Sequence, residues 1–361
     1  MFFPTRCFVR SRLSTPTRVP ASAVRERMLW IAASYERAAP RADSPPPTAF
    51  DSVADACSTL VDAIAQGDLD RVDAAASWVV DVARFDQLMA LGAPTLDMLG
   101  AAGHAAIAFF LTSRVATTSR SAVTLLRPML RELARAPQLR LQWAHHAAAP
   151  AGQERQLAAA LAATPRLGLP GSDFIYPLVH QVDDTGVARD VIESAIPADV
   201  DRAATAILRV AARSMLQDDA AFAPYGWTHC LTLPQGVLEI IPWLPDPHLA
   251  AAVAATYVVG FRAAEGRDVI DLEWEPEPTS VDLLPSLEQG PEIAGRAWYH
   301  ASADATAQAL PDLVGRAAVH EDAHLAKYTF ACLGAAERDP LQRHLYLAAA
   351  ASLAAWWAAR P

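Results

Sequence analysis

From residue 49 onward, apolar positions recur at spacings of three and four and rarely alternate, the pattern of amphipathic helices rather than strands. Asp68 stands where a helix cap is wanted, and Val72, Ala75, Val79 and Val82 after it fall on one face. Read this way, the chain predicts helices near 51–65 (capped by Asp51), 68–82, 85–92, 94–115, 119–135, 151–163, 186–195 and 198–216. A second set follows near 228–242, 247–264, 302–318, 319–334 and 340–359. The last opens with Asp339 at its cap and Pro340 in its first turn, where a missing N–H costs nothing. No repeat of fixed period is present, which disfavours a solenoid. The expected architecture is a single large all-α domain spanning 49–361.

Two stretches break the helical pattern. Residues 265–293 form an acidic, proline-rich run with Asp268, Asp271, Glu273, Glu275 and Glu277 around Pro276 and Pro278. Residues 269–274 can make a short strand there, stopped by the prolines. The interval reads either as a solvated excursion or as a lid over a site. Residues 1–48 read as a disordered leader and linker, with six arginines before residue 28, Pro45-Pro46-Pro47 near its end and Met28 as a second candidate start.

Composition sharpens this picture. Hydrophobic residues make up 52% and charged residues 19% of the 361 positions. Alanine runs such as 157–163 and 348–355 suit closely packed helices, because alanine loses no side-chain entropy. A net charge of −10 disfavours a general nucleic-acid binder. Four scattered cysteines form no CxxC pair and predict a reducing, cytoplasmic setting. No apolar run reaches membrane-spanning length, so the expectation is a soluble chain without membrane or nucleic-acid partners. GxGxxG, P-loop and GxSxG patterns are absent from the sequence.

The candidate chemistry centres on His320-Glu321-Asp322-Ala323-His324-Leu325-Ala326-Lys327. On one helix His320, His324 and Lys327 share a stripe, and two imidazoles one turn apart suit a metal ion. Asp322 then points away and acts on another residue. His320 to His324 also match HExxH, in which Glu321 would be the base of a metal-dependent hydrolase. Lys327 is the only lysine among 30 basic residues. A buried lysine can lose its proton and act as nucleophile, base or carbamate, which arginine cannot do. His229 and Thr232 share a helix face one turn apart, ahead of Pro234. His104 follows the small run Gly100 to Gly103, which predicts a polar group at a tight helix crossing, and His180 lies in an apolar context after Tyr176. Taken singly, each histidine also reads as a hydrogen-bonded core residue, so a helical binding or scaffold protein stands beside the two enzymatic readings.

Asp322-Ala323-His324-Leu325-Ala326-Lys327 resembles the D-x-H-x-x-K segment of questin oxidase-like proteins, and His229 through Leu238 resembles that family's H-x-x-T-x-P-x-x-x-L segment. The resemblance spans roughly residues 50–358, with Tyr176 standing where a histidine is expected. It implies an oxidoreductase that oxidises or cleaves an aromatic polyketide-type substrate with O2. It also implies non-haem iron held by some of His104, His180, His229, His320 and His324 with a carbamylated Lys327, and NADPH as a reductant. Lys327, Asp322 and Thr232 are the candidate catalytic residues.

Overall fold

The computed structural model describes residues 49–115, 119–147, 149–167 and 175–360. Residues 1–48, expected to be a leader and linker, lie outside the described residues. Within them the chain is helical, and its only β contacts are two isolated bridges, Met98 with Arg140 and Gly152 with Pro197. The all-α expectation holds. No described helix is long and apolar enough to cross a membrane.

The longer helices are α1 (Val53–Gln66), α2 (Leu69–Val82), α3 (Ala105–Val115), α4 (Ser119–Arg135), α5 (Glu154–Ala162), α6 (Ile175–Asp184) and α7 (Val200–Gln217). They are followed by α8 (Thr228–Glu239), α9 (Pro247–Glu265), α10 (Pro291–Tyr299), α11 (Ala303–Val319), α12 (Ala323–Arg338) and α13 (Arg343–Ala358). At the centre lies α8, buried at every residue from Thr228 to Leu238. It packs against α3, α7, α9 and α12. Alanine makes this possible. On α9 every residue from Ala250 to Ala263 is buried, and on α13 every residue from Leu345 to Trp356. Helices buried on all sides must be apolar all round, and small side chains let several surround one axis.

Caps explain most helix starts. Asp68 accepts from the N–H groups of Asp70 and Arg71, as expected, but Ser52 rather than Asp51 caps α1. The segment expected to run as one helix over 94–115 breaks. A short helix ends at Thr95, and Ala101–Gly103 form a 3-10 turn before α3. Gly103 has φ +71°, and a Cβ there would stand 3.0 Å from Ile175. Ala101 takes φ 55°, a left-handed conformation that costs an alanine about 1–2 kcal/mol. The Gly-Ala run is therefore a turn, not a helix crossing.

The acidic loop differs from its sequence reading. Residues 269–274 form no strand, because Ile270 N–H is taken by the Ala162 carbonyl and Asp271 N–H by the Gln217 side chain. The run is pinned rather than solvated throughout: Ile270 and Pro276 are buried. Arg262 is 1% exposed. It donates to the carbonyls of Leu161, Ala162 and Asp268 and pairs with Asp218 at 2.7 Å, tying α9 to α5, α7 and the loop. After the loop, Pro291–Tyr299 is a helix that periodicity missed, being only nine residues long. Asp339 and Pro340 open a 3-10 turn, and the helix expected from 340 begins at Arg343.

Candidate functional site

Three segments far apart in sequence meet around Lys327. His104 ends the 3-10 turn before α3, His229 sits in the first turn of the buried α8, and Lys327 lies one turn into α12. Nζ of Lys327 is 2.7 Å from His229 Nε2 and 3.3 Å from His104 Nε2. The rings of His104 and His229 meet edge to face at 5.2 Å, and His324 approaches His229 in the same way at 4.9 Å.

The far side of each ring fixes its tautomer. His229 Nδ1 is 2.5 Å from the Tyr225 carbonyl and His104 Nδ1 is 3.2 Å from the Ala101 carbonyl. Carbonyl oxygens only accept, so both Nδ1 atoms carry the proton and both Nε2 atoms present lone pairs to the amine. His324 Nδ1 likewise donates to Asp322 Oδ1 at 2.7 Å. Asp322 is the N-cap of α12, and the same oxygen accepts from His324 N–H at 2.6 Å. Its other oxygen accepts from the Tyr225 hydroxyl at 3.3 Å.

Backbone irregularity delivers these contacts. Residues Ala223–Trp227 form a π-helical turn just before α8. Such turns insert a residue into the helical ladder and recur at functional sites. Here the turn places the Tyr225 carbonyl under His229 and the Tyr225 ring 4.9 Å from His324. On the other side, the strained Ala101 supplies the carbonyl that orients His104.

The electrostatics follow from burial. Lys327 is 6% exposed, and desolvation lowers its pKa from the ordinary 10.5 to about 7, only partly opposed by Asp322. Burial and the nearby Lys327 also lower the pKa values of His229 and His324, so both imidazoles stay neutral. Burial works against ionised Asp322, but hydrogen bonding and attraction to His324 outweigh it and hold the carboxyl at about 2. The cluster thus holds one ionised carboxylate, two imidazoles kept neutral and an amine poised to exchange its proton near neutrality.

Two predicted residues stand elsewhere. His320 is not on the helix of His324: it is the C-cap of α11, and α12 starts at Ala323. The stripe of His320, His324 and Lys327 is broken by the Asp322 cap. His320 Nδ1 accepts from Asp322 N–H at 3.0 Å, and its ring lies 4.9 Å from Trp357. Glu321 is exposed ahead of the helix, so HExxH does not place two histidines on one helical face. His180 pairs with Asp184 at 3.2 Å and lies against Tyr176 on α6. Thr232 is buried one turn beyond His229, its hydroxyl without a hydrogen-bond partner among the described residues. Tyr225 and the π-helical turn carried no signal in the sequence beyond a nearby proline.

The tautomers of His104, His229 and His324 are those that metal-binding imidazoles adopt. In this arrangement, however, Nζ of Lys327 occupies the point on which two of the three lone pairs converge. Among the described residues no group of three or more His, Cys, Asp or Glu side chains is placed to hold a metal ion. As they stand, these residues fit an amine rather than non-haem iron. The chain matches no protein-family model, and no curated protein or solved structure is similar enough to match it.

Proposed function

We propose that the protein is an oxidoreductase whose working group is the Lys327 amine, acting on an aromatic polyketide-type substrate with O2 as oxidant. The observation that carries this reading is the placement of Nζ between two imidazole acceptors in a buried site. A neutral amine has two N–H bonds and one lone pair. With both N–H groups donated to His104 and His229, the lone pair is left in a defined direction. Such an amine is a positioned base with a pKa near the working pH, the condition for efficient proton transfer. An aromatic hydroxyl titrates in a range this base can reach. Its O–H bond breaks, the proton joins Nζ, and the electron pair stays on the aromatic oxygen. The resulting electron-rich oxyanion is the species that O2 oxidises. Asp322 holds His324 in one orientation beside this centre. Thr232, with an unpaired hydroxyl, is a hydrogen-bond donor to substrate.

The substrate class and O2 come from the family-like segments around His229 and Lys327, and a cytoplasmic location fits the scattered cysteines. The test is O2 uptake by the purified full chain with a panel of hydroxyanthraquinones. Uptake is expected to rise with pH through about 7. It should persist in chelator and disappear in both Lys327→Met and Lys327→Arg. Unchanged uptake in Lys327→Arg overturns the amine-centred reading, and uptake abolished by chelator and restored by iron returns the site to metal chemistry. If no substrate is turned over and both variants alter only stability, the protein is a helical binding module.

A further inference from the structure

Away from the lysine cluster, α7, α10, α13 and the proline-rich loop bound a groove of about 640 Å³. That is the size of a pocket for a small organic molecule. Met215 and Leu216 of α7 supply apolar lining, and residues Trp274 to Glu277 line it from the loop. The loop is held in place by its neighbours. Gln217 accepts from the Asp271 N–H and donates to the Asp271 carbonyl, both at 2.9 Å. His300 donates to the Pro276 carbonyl, and Arg296 Nε donates to the Glu277 carbonyl at 2.9 Å. The interval that reads in sequence as either a solvated excursion or a lid is therefore a pinned wall. A wall already in place spares a ligand the cost of ordering it.

Charge pairing inside the groove is incomplete. Four carboxylates line it. Asp218 is taken by Arg262 at 2.7 Å, and Glu292 by Arg296 at 3.2 Å. Arg296 is the one cation among the described lining residues, so none is left over. The side chains of Glu275 and Glu277 form no hydrogen bond or ion pair with a described residue. A hydroxyl in the same groove is also unmatched. Ser352 is 4% exposed, is the one hydroxyl residue in the alanine-rich run 348–355, and makes no hydrogen bond to a described residue. A buried helical hydroxyl ordinarily returns its O–H to the carbonyl one turn back, as Thr256 does to Ala252 at 2.7 Å. Ser352 lines the groove instead. Gly295 leaves it uncovered, since a Cβ there would stand 3.9 Å from the Ser352 Cβ.

We propose that this groove binds a small organic ammonium ion, its cationic end held by Glu275 and Glu277 beside Trp274 and its body lying over Met215 and Leu216 towards the Ser352 hydroxyl. Carboxylates accept strongly from ammonium N–H groups, and an aromatic face attracts a cation. The Ser352 hydroxyl then meets a polar atom of the ligand body. A bare metal ion suits the groove less well, because two free carboxylates are too few ligands and the space is far larger than an ion. The site is separate from Lys327, and it stands whether or not that amine is catalytic.

The test uses the full chain with tyramine and with putrescine, each against sodium chloride at matched ionic strength. At least one amine should raise the melting temperature saturably. In protein carrying ¹⁵N-labelled tryptophan, the Trp274 indole resonance, assigned through Trp274→Phe, should move with the same midpoint. Tyrosol and butanediol, the neutral counterparts of the two amines, should bind weaker by about tenfold or more. Joint Glu275→Gln and Glu277→Gln replacement should weaken the amine by a similar factor and leave the melting temperature in sodium chloride unchanged, both side chains being exposed. Ser352→Ala continues an alanine-rich run, so it should fold as the native chain does and still raise the midpoint. If neither amine moves Trp274 or the melting temperature beyond sodium chloride, the site does not exist. Equal binding of amine and neutral counterpart, or equal binding by the double glutamine variant, also overturns the inference. If Ser352→Ala leaves every midpoint unchanged, the amine sits on the outer face of the loop and the groove is not its site. The comparison of amine with neutral counterpart needs only the native chain, so it decides the matter even if a variant does not fold.

Discussion

Replacing Lys327 with methionine should make the protein more stable at neutral pH while abolishing the proposed O2 uptake. The side chain is buried, and its pKa falls from 10.5 in the unfolded chain to about 7 in the fold. Between those two values the unfolded state binds a proton that the native state does not, so stability rises with pH at about 1.4 kcal/mol per pH unit. The stability is fully present above 10.5 and is lost as pH falls towards 7, which amounts to about 5 kcal/mol at neutrality. Methionine of similar length removes that penalty and also the contacts to His104 and His229, each of about 1 kcal/mol. The net expectation is a gain of about 2–3 kcal/mol at pH 7, shrinking and changing sign as pH approaches 10. Urea denaturation of both proteins at pH 6, 7, 8 and 9 measures it directly. A constant gap between the two proteins over that range would refute the reasoning, because the loss would then be one of packing rather than of a suppressed charge.

Other expectations follow from the same geometry. Thr232→Val should stabilise the fold by about 1 kcal/mol, since its buried hydroxyl has no partner, while lowering turnover, and a melting curve paired with O2 uptake separates the two effects. Asp322→Asn keeps a helix cap but removes a carboxylate that the fold holds at about 2 against the ordinary 3.8, so stability at neutral pH should fall by about 1–2 kcal/mol, read by urea denaturation. Losing the carboxylate should also lower the His324 pKa further, which NMR titration of that imidazole reads. Ala101→Gly should be neutral or stabilising by up to about 1 kcal/mol, because glycine tolerates its left-handed φ, whereas Ala350→Gly inside α13 should cost about 1 kcal/mol, and thermal melts of the pair compare them.

Helix content was legible because periodicity and capping act over a few residues. Ser119–Arg135 was read to the residue, and the Asp68 cap was recognised for its physical reason. The failures arise where a local rule was trusted across a competing one. HExxH presumes a continuous helix through His320 and His324, yet Asp322 is a strong cap and marks the start. The run Gly100 to Gly103 suggests a tight helix crossing, although two glycines so close together also announce a turn. Lys327 was found by its rarity, and His104 and His229 by their polarity among apolar neighbours. That the three meet was beyond periodicity, since His104 and Lys327 are 223 residues apart. The π-helical turn at Ala223–Trp227 gives no pattern a window of residues could detect.

The composition that builds the fold also sets the chemistry. Alanine-rich helices pack closely because their side chains are short, and α8 is sealed by four neighbours. Around His229 and Lys327 that sealing removes the water which would otherwise hold an ammonium ion charged. Phe261 lies stacked 6.2 Å from His229, so one side of the cluster is hydrocarbon. A lysine at the same spacing on an exposed helix face would keep its proton and do nothing unusual. What sets Lys327 apart is therefore not the D-x-H-x-x-K spacing alone but that spacing embedded in an alanine-padded core. An exposed Lys327 would need no histidine acceptors, whereas a buried one needs partners for each N–H. His104 and His229 supply them, and both are held in the required tautomer by backbone carbonyls in irregular turns. Loosening either turn should therefore impair the base without touching it.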